Sequence, residues 1–218
     1  MRGGHQPSLS DIERSVTICR RIRETVGNRA DILFGTHGQF TTAGAIRLAR
    51  RLEPYDPLWF EEPCPPDNLL EFATLLRTGG VAILQPALGR SGGILETKKI
   101  AAIAESFNAQ VAPHLYAGPV EWAANIQLAA NIPNLLMVET IQTGGDFHRQ
   151  LIGDTIRWED GYIVPPTAPG LGIEFDETLA RAHPWQGTGL HLEMQEAPCN
   201  YSTENVFLGG APPVADKP

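Results

Sequence analysis

The sequence predicts an α/β fold built on a parallel sheet, and two observations carry that reading. Short apolar runs recur: Asp31-Ile32-Leu33-Phe34 before Gly35, Leu58-Trp59-Phe60 before Glu61, Val81-Ala82-Ile83-Leu84-Gln85 before Pro86-Ala87, Gln110-Val111-Ala112-Pro113 before His114, and Leu135-Leu136-Met137-Val138 before Glu139. The residues ending these runs, Gly35, Glu61, Ala87, His114 and Glu139, follow one another at intervals of 26, 26, 27 and 25 residues. A period of that length holds one strand, one helix and two short loops, which is a βα repeat. Strands alternating with helices form parallel sheets, and continuous apolar runs suit strands covered on both faces.

Each period contains a helix pattern in the right place. Ser8 or Ser10 is positioned to cap a helix over 11–26, with Ile12, Val16, Cys19 and Ile22 on its apolar stripe and Gly27-Asn28 at its end. Thr41 or Thr42 caps a second helix reaching Leu52, and a third runs from Asn68 to Arg77 after the Pro65-Pro66 turn. A fourth is expected over 95–107 and a fifth from Gly118-Pro119 to near Asn131. Beyond Glu139 the pattern turns irregular: Trp158 to Val164 reads as a hairpin arm and Pro165 to Pro169 as a turn. From Ala197 onward no amphipathic pattern survives, so the organisation expected is a domain over 1–184 and an irregular tail over 185–218.

Bulk properties narrow the function classes. The chain has 218 residues, enough for a substantial core, with 42% hydrophobic and 19% charged side chains, as in ordinary globular domains. A net charge of −8 without any basic cluster argues against nucleic acid as a partner. Cys19, Cys64 and Cys199 are too few and too scattered for a disulfide framework. No apolar run approaches a membrane span and no secretory leader is evident, so the expectation is a cytoplasmic protein without a membrane partner.

The chemistry concentrates at the ends of the strands, the rim where α/β folds build their sites. Glu61 and Glu62 stand side by side after an apolar strand and before Pro63. Two adjacent carboxylates repel unless something positive sits with them; a divalent cation is the natural candidate and an arginine-held pair the alternative. The Gly89–Gly93 stretch suits a tight strand-to-helix turn better than an anion cradle, and Trp59 and Trp122 read as packing residues.

Taken together, Leu58-Trp59-Phe60-Glu61-Glu62-Pro63-Cys64-Pro65-Pro66, Gln85-Pro86-Ala87-Leu88-Gly89-Arg90-Ser91-Gly92-Gly93-Ile94, Ala112-Pro113-His114-Leu115-Tyr116-Ala117-Gly118-Pro119, Asp160-Gly161-Tyr162 and Gly170-Leu171-Gly172 resemble the enolase superfamily. The best fit is its mandelate racemase/muconate lactonizing branch, notably the acid-sugar dehydratases of galactonate type. The resemblance implies a partial TIM-type (β/α) barrel of about five parallel strands, without the capping domain. It also implies Mg²⁺-assisted removal of a proton next to a carboxylate, from a small-molecule sugar acid. By the same resemblance Glu61 is a metal ligand, His114 the histidine base or acid, Glu139 the acid that meets the substrate carboxylate, and His37 a general acid. An imidazole suits this work near neutral pH, because the charge that develops must be faced by a cation and a proton donor.

The chain departs from that pattern in ways that bear on activity. Gly35 stands where the resemblance expects an aspartate ligand, and Ala87 where it expects the aspartate that orients the histidine. A third acidic ligand is missing, because one βα unit between the Glu61 and Gln85 strands is absent: Asn68 to Phe72 leads directly into the helix before Val81. The resulting expectation is a dehydratase-like protein, weak or inactive as it stands. The alternatives are a racemase or epimerase of the same branch, and a non-catalytic remnant that self-associates. Missing strands leave open sheet edges, which favours a homo-oligomer.

Overall fold

The computed structural model describes residues 5–79, 81–140, 145–184 and 186. It divides into two compact units, Met1–Ala180 and Arg181–Pro218. Of the second unit only residues 181–184 and 186 are described, so the tail expected from Ala197 onward lies outside the described residues. The sequence-derived boundary after residue 184 stands as a proposal beside the division at Ala180.

Helix α1 spans Leu9–Val26. Its start is fixed by a reciprocal cap: the Ser8 hydroxyl accepts from the Asp11 N–H at 3.2 Å, and the Asp11 carboxylate accepts from the Ser8 N–H at 3.3 Å. Ile12 and Cys19 are buried as expected and Val16 packs against them, but Ile22 is 42% exposed, because the stripe rotates off the core in the last turns. Arg23 occupies that end instead, donating to the carbonyls of Gly27, Ala30, Tyr55 and Asp56 and tying α1 to the turn that precedes the second strand. Replacing Ser8 with Ala is expected to destabilise the fold by about 1 kcal/mol. Thermal unfolding would read this as a shift of roughly 2–4 °C.

The repeat then unfolds as the spacing predicts. Strand β1 is Leu33–Gly35, helix α2 Thr42–Leu52 with Thr41 as its cap, and strand β2 Trp59–Glu61. Helix α3 is Leu69–Arg77, capped by Asn68, and strand β3 is Ile83–Leu84. The Gly89–Gly93 stretch forms a four-residue helix α4, Leu88–Ser91, before α5 at Ile94–Ser106. Strand β4 is Gln110–Val111 and α6 Pro119–Ala129, with Pro119 in the first turn where its missing N–H is harmless. Helix α7, Gly145–Ile152, follows. The hairpin expected over 158–164 is present as β5, Arg157–Glu159, and β6, Tyr162–Val164. It turns on Asp160 and Gly161, both at positive φ, which matches the right-handed twist of a two-residue hairpin. Helix α8, Glu177–Ala182, ends the described elements.

Strand pairing is parallel throughout the repeat. β1 pairs with β2 in the register Leu33↔Trp59, Phe34↔Phe60 and Gly35↔Glu61. β3 pairs with β4, and isolated bridges extend the ladder through Ala87↔His114 and Val111↔Leu135. The fifth apolar run thus enters the sheet through one bridge rather than as a full strand. Among the described residues no ladder joins β2 to β3. This break falls between Glu61 and Gln85, where the resemblance leads one to expect a further βα unit. A cavity of about 200 Å³, lined in part by Leu52, Leu58, Phe60, Thr78, Val81 and Ala82, lies where the chain enters β2 and β3.

Packing holds the two strand pairs together where hydrogen bonds do not. On one face Ile32, Phe60, Leu84 and Val111 bury against Leu48 and Leu52 of α2, Leu75 of α3, Ile100 of α5 and Leu128 of α6. Successive strand residues point to opposite faces. Accordingly Trp59, Ile83 and Ala112, with Leu136, form a separate layer on the other face. Helices outside and a side-chain layer inside are the arrangement of a (β/α) barrel wall. A third cluster, Leu115, Trp122, Ile126, Leu151 and Ile152, seats α7 against α6.

Candidate functional site

The parallel register delivers the strand ends to one rim. At the end of β2 the apolar Trp59 and Phe60 are buried, and Glu61 emerges half-buried beside Gly35. Gly35 leaves room there, since a Cβ on it would lie 3.3 Å from Glu61 Oε2. The next residue, Glu62, takes φ of 40°, a left-handed conformation unusual for a side chain of this size. The loop after β1 holds it in place. Thr36 Oγ1 donates to the Glu61 carbonyl at 2.9 Å and the Glu62 carbonyl at 2.7 Å, and the Gly38 N–H donates to the Glu62 carbonyl at 2.8 Å. The turn sends the Glu62 carboxyl inward, leaving the residue only 3% exposed.

His114 arrives from the other strand pair. Its N–H donates to the Pro86 carbonyl at 3.2 Å, its carbonyl accepts from Asn125 Nδ2 at 3.1 Å, and its ring is buried. Ala87 is its backbone partner and supplies no side chain to orient the ring. Two carboxylates flank the imidazole instead: His114 Nε2 lies 3.8 Å from Glu62 Oε2 and 3.9 Å from Glu139 Oε2. Both gaps exceed a hydrogen bond. Glu139 is itself held, its Oε2 accepting from the Leu115 N–H at 2.7 Å and from Gln85 Nε2 at 3.3 Å. Arg90, presented by α4, stands 3.4 Å from Glu62 Oε2.

Electrostatics follow from burial and from this crowding. Burial raises the pKa of Glu61, and the nearby Glu139 charge raises it further. Glu62 is pushed up to about 7, chiefly by burial, with Arg90 opposing and the charges of Glu61 and Glu139 adding. Burial lowers the pKa of His114, partly offset by Glu139, which favours the neutral form of the ring. A neutral imidazole between carboxylates is a competent proton acceptor.

Of the four site residues named from the sequence, the structure brings three together. Glu61, His114 and Glu139 each offer one ligand atom, and those atoms lie within 4.8 Å of one another. His37 sits exposed on the loop after β1, outside this group, although its charge is felt at His114. The sequence reading missed the inward turn of Glu62 and the roles of Arg90 and Gln85. The arginine-held alternative weighed for the Glu61–Glu62 pair proves correct for Glu62, whose partner is Arg90. Gly89 meets an anion of the chain's own: its N–H donates to Glu121 Oε1 at 2.9 Å.

The donor set does not fit the Mg²⁺ that the resemblance implies. Mg²⁺ requires near-ideal octahedral oxygen coordination. Here Gly35 offers no ligand, and one member of the trio is an imidazole.

Helices packed outside a parallel sheet, with two acids and a histidine gathered at its C-terminal rim, place the chain in the (β/α)-barrel class. Comparison with known proteins gives the family. The enolase C-terminal domain-like family model matches residues 1–75 and 67–179, and the chain belongs to that family. Within it the likeness is to the mandelate racemase/muconate lactonizing branch and its acid-sugar dehydratases. D-xylonate dehydratase of Haloferax volcanii is 34% identical over 206 residues, matching 84% of this chain and 50% of that protein. A D-gluconate/D-galactonate dehydratase of Picrophilus torridus is 32% identical, matching 77% of this chain and 49% of that protein. The solved structure of a mandelate racemase/muconate lactonizing enzyme from Sulfitobacter sp. is 62% identical with a TM-score of 0.65, covering 92% of this chain and 56% of that one. The chain therefore spans about half the length of the curated relatives it matches. Residues 67–75, which hold the start of α3, fall in both family matches.

Proposed function

We propose that this chain is an acid-sugar dehydratase-type barrel in which the proton-moving group persists and the electrophilic half of the site is incomplete, so that it acts as a weak or inactive lyase on its own. The observation that carries this reading is the convergence of Glu61, His114 and Glu139 on one rim, opposite a Gly35 that contributes no carboxylate. His114 is the base, kept neutral by burial and aimed between two acids. Glu139, fixed by Leu115 and Gln85, is the acid that meets the carboxylate end of a substrate. Glu61 is the residue left to hold Mg²⁺. A single carboxylate gives that ion little reason to leave its water. The substrate class is taken from the names of the relatives, which are D-xylonate, D-gluconate and D-galactonate dehydratases.

Titration calorimetry with Mg²⁺ on wild type and Glu61→Gln, followed by a turnover screen on those three acids, tests the reading. The expected result is binding weaker than about 1 mM for both proteins, with turnover absent or residual and any residue of it removed by His114→Gln. Robust Mg²⁺-dependent turnover by the purified chain would overturn it.

A further inference from the structure

The cluster itself points to a different ion. We infer that Glu61, Glu139 and the His114 imidazole form a site for a first-row transition dication of the Zn²⁺ or Co²⁺ type, taken in preference to Mg²⁺. This deepens the proposed function, since it rests on the same three residues, and it gives a reason for weak activity: a ligated imidazole cannot serve as a base.

Three features support it. The three ligand atoms already lie within 4.8 Å of one another, a spread that small side-chain movements can close around one ion. The set is two carboxylates and an imidazole, and imidazole favours the later first-row metals, whose affinities rise along the series toward Cu²⁺. Glu139 is also held from behind, as ligating carboxylates are, receiving the Leu115 N–H and Gln85 Nε2.

An independent observation lies next to the cluster. Glu62 is 3% exposed, and its Oε1 has no hydrogen-bond partner among the described residues. Its other oxygen is 3.8 Å from His114 Nε2, which places the carboxyl against the trio. A buried carboxyl oxygen without a donor is costly. Water carried on a three-coordinate dication would supply the donor, and three protein ligands with an open position are the usual arrangement for such an ion.

Co²⁺ reports its own coordination by visible absorption, so the metal-free protein is titrated with Co²⁺, and Mg²⁺ and Zn²⁺ are then added as competitors. The expected result is one Co²⁺ per chain, displaced by Zn²⁺, with an affinity at least about 100-fold above that for Mg²⁺. His114→Gln should weaken Co²⁺ binding by about 100-fold. If His114→Gln does not fold, as judged by circular dichroism, Glu139→Gln carries the same expectation. Binding that survives both His114→Gln and Glu139→Gln, or Mg²⁺ competing at equal concentration, overturns the inference. Turnover is not read in this experiment, so its failure is separate from failure of the dehydratase reading.

Discussion

Raising the pH from about 4 to about 8 is expected to weaken the metal-free fold by roughly 3 kcal/mol through Glu62 alone. Its folded-state pKa is about 7 against an ordinary 4.5. Between those values the folded chain keeps a proton that the unfolded chain has already released, so stability falls as pH rises through the window. Below pH 4.5 both states are protonated and the stabilisation is complete; above about 7 both are ionised and it is gone. His114 works in the opposite sense, because its lowered pKa makes acidification unfavourable. The Glu62 contribution is therefore read as a difference between wild type and Glu62→Gln. The variant should be the more stable protein at pH 8, by about 2–3 kcal/mol or roughly 5–10 °C, and should match wild type near pH 4. A constant offset between the two proteins across the whole range would show that the buried carboxyl does not titrate.

The second large effect is a gain. Gly35→Asp is expected to tighten Mg²⁺ binding by at least about tenfold. Gly35 pairs with Glu61 in register, so a carboxylate grown there stands beside the surviving ligand. The added Cβ would lie 3.3 Å from Glu61 Oε2, the movable end of a half-exposed side chain, and the backbone φ is not in the left-handed region. At a protein surface two unit charges 4 Å apart interact by about 4 kcal/mol, well above the 1.4 kcal/mol that a factor of ten requires. Titration calorimetry of the variant against wild type decides it. An unchanged affinity would mean that Glu61 is not the anchor of a cation site.

The strands were legible because parallel pairing imposes its own rhythm. Apolar runs at near-equal intervals place Glu61, His114 and Glu139 at matching heights, and the structure brings their side chains together. What the sequence hides is the direction of individual side chains around the turn. Nothing in Glu61-Glu62-Pro63 signals a left-handed residue, so the inward carboxyl of Glu62 is invisible until Thr36 and Gly38 are seen clasping its carbonyl. Arg90 is hidden differently. It is aimed by α4, a helix too short for periodicity to reveal and masked by the surrounding glycines. His37 is named by the resemblance alone, between glycines that suit a plain turn equally well, and as a loop residue it is not bound by the register that fixes a strand end.

The break between β2 and β3 has a mechanical meaning. Glu61 and Glu62 belong to the β1–β2 pair, and His114 and Glu139 to the side built on β3 and β4. The two plates touch through Trp59 and Ile83, a greasy contact that resists pulling apart but offers little against sliding. Polar groups reaching over the crease are what give it shear stiffness, and here those groups are the Arg90–Glu62 pair and the carboxylates around His114. Whatever settles between them, proton or ion, acts as a rivet, so the chemistry of the rim also sets how rigidly the halves of this wall are aligned.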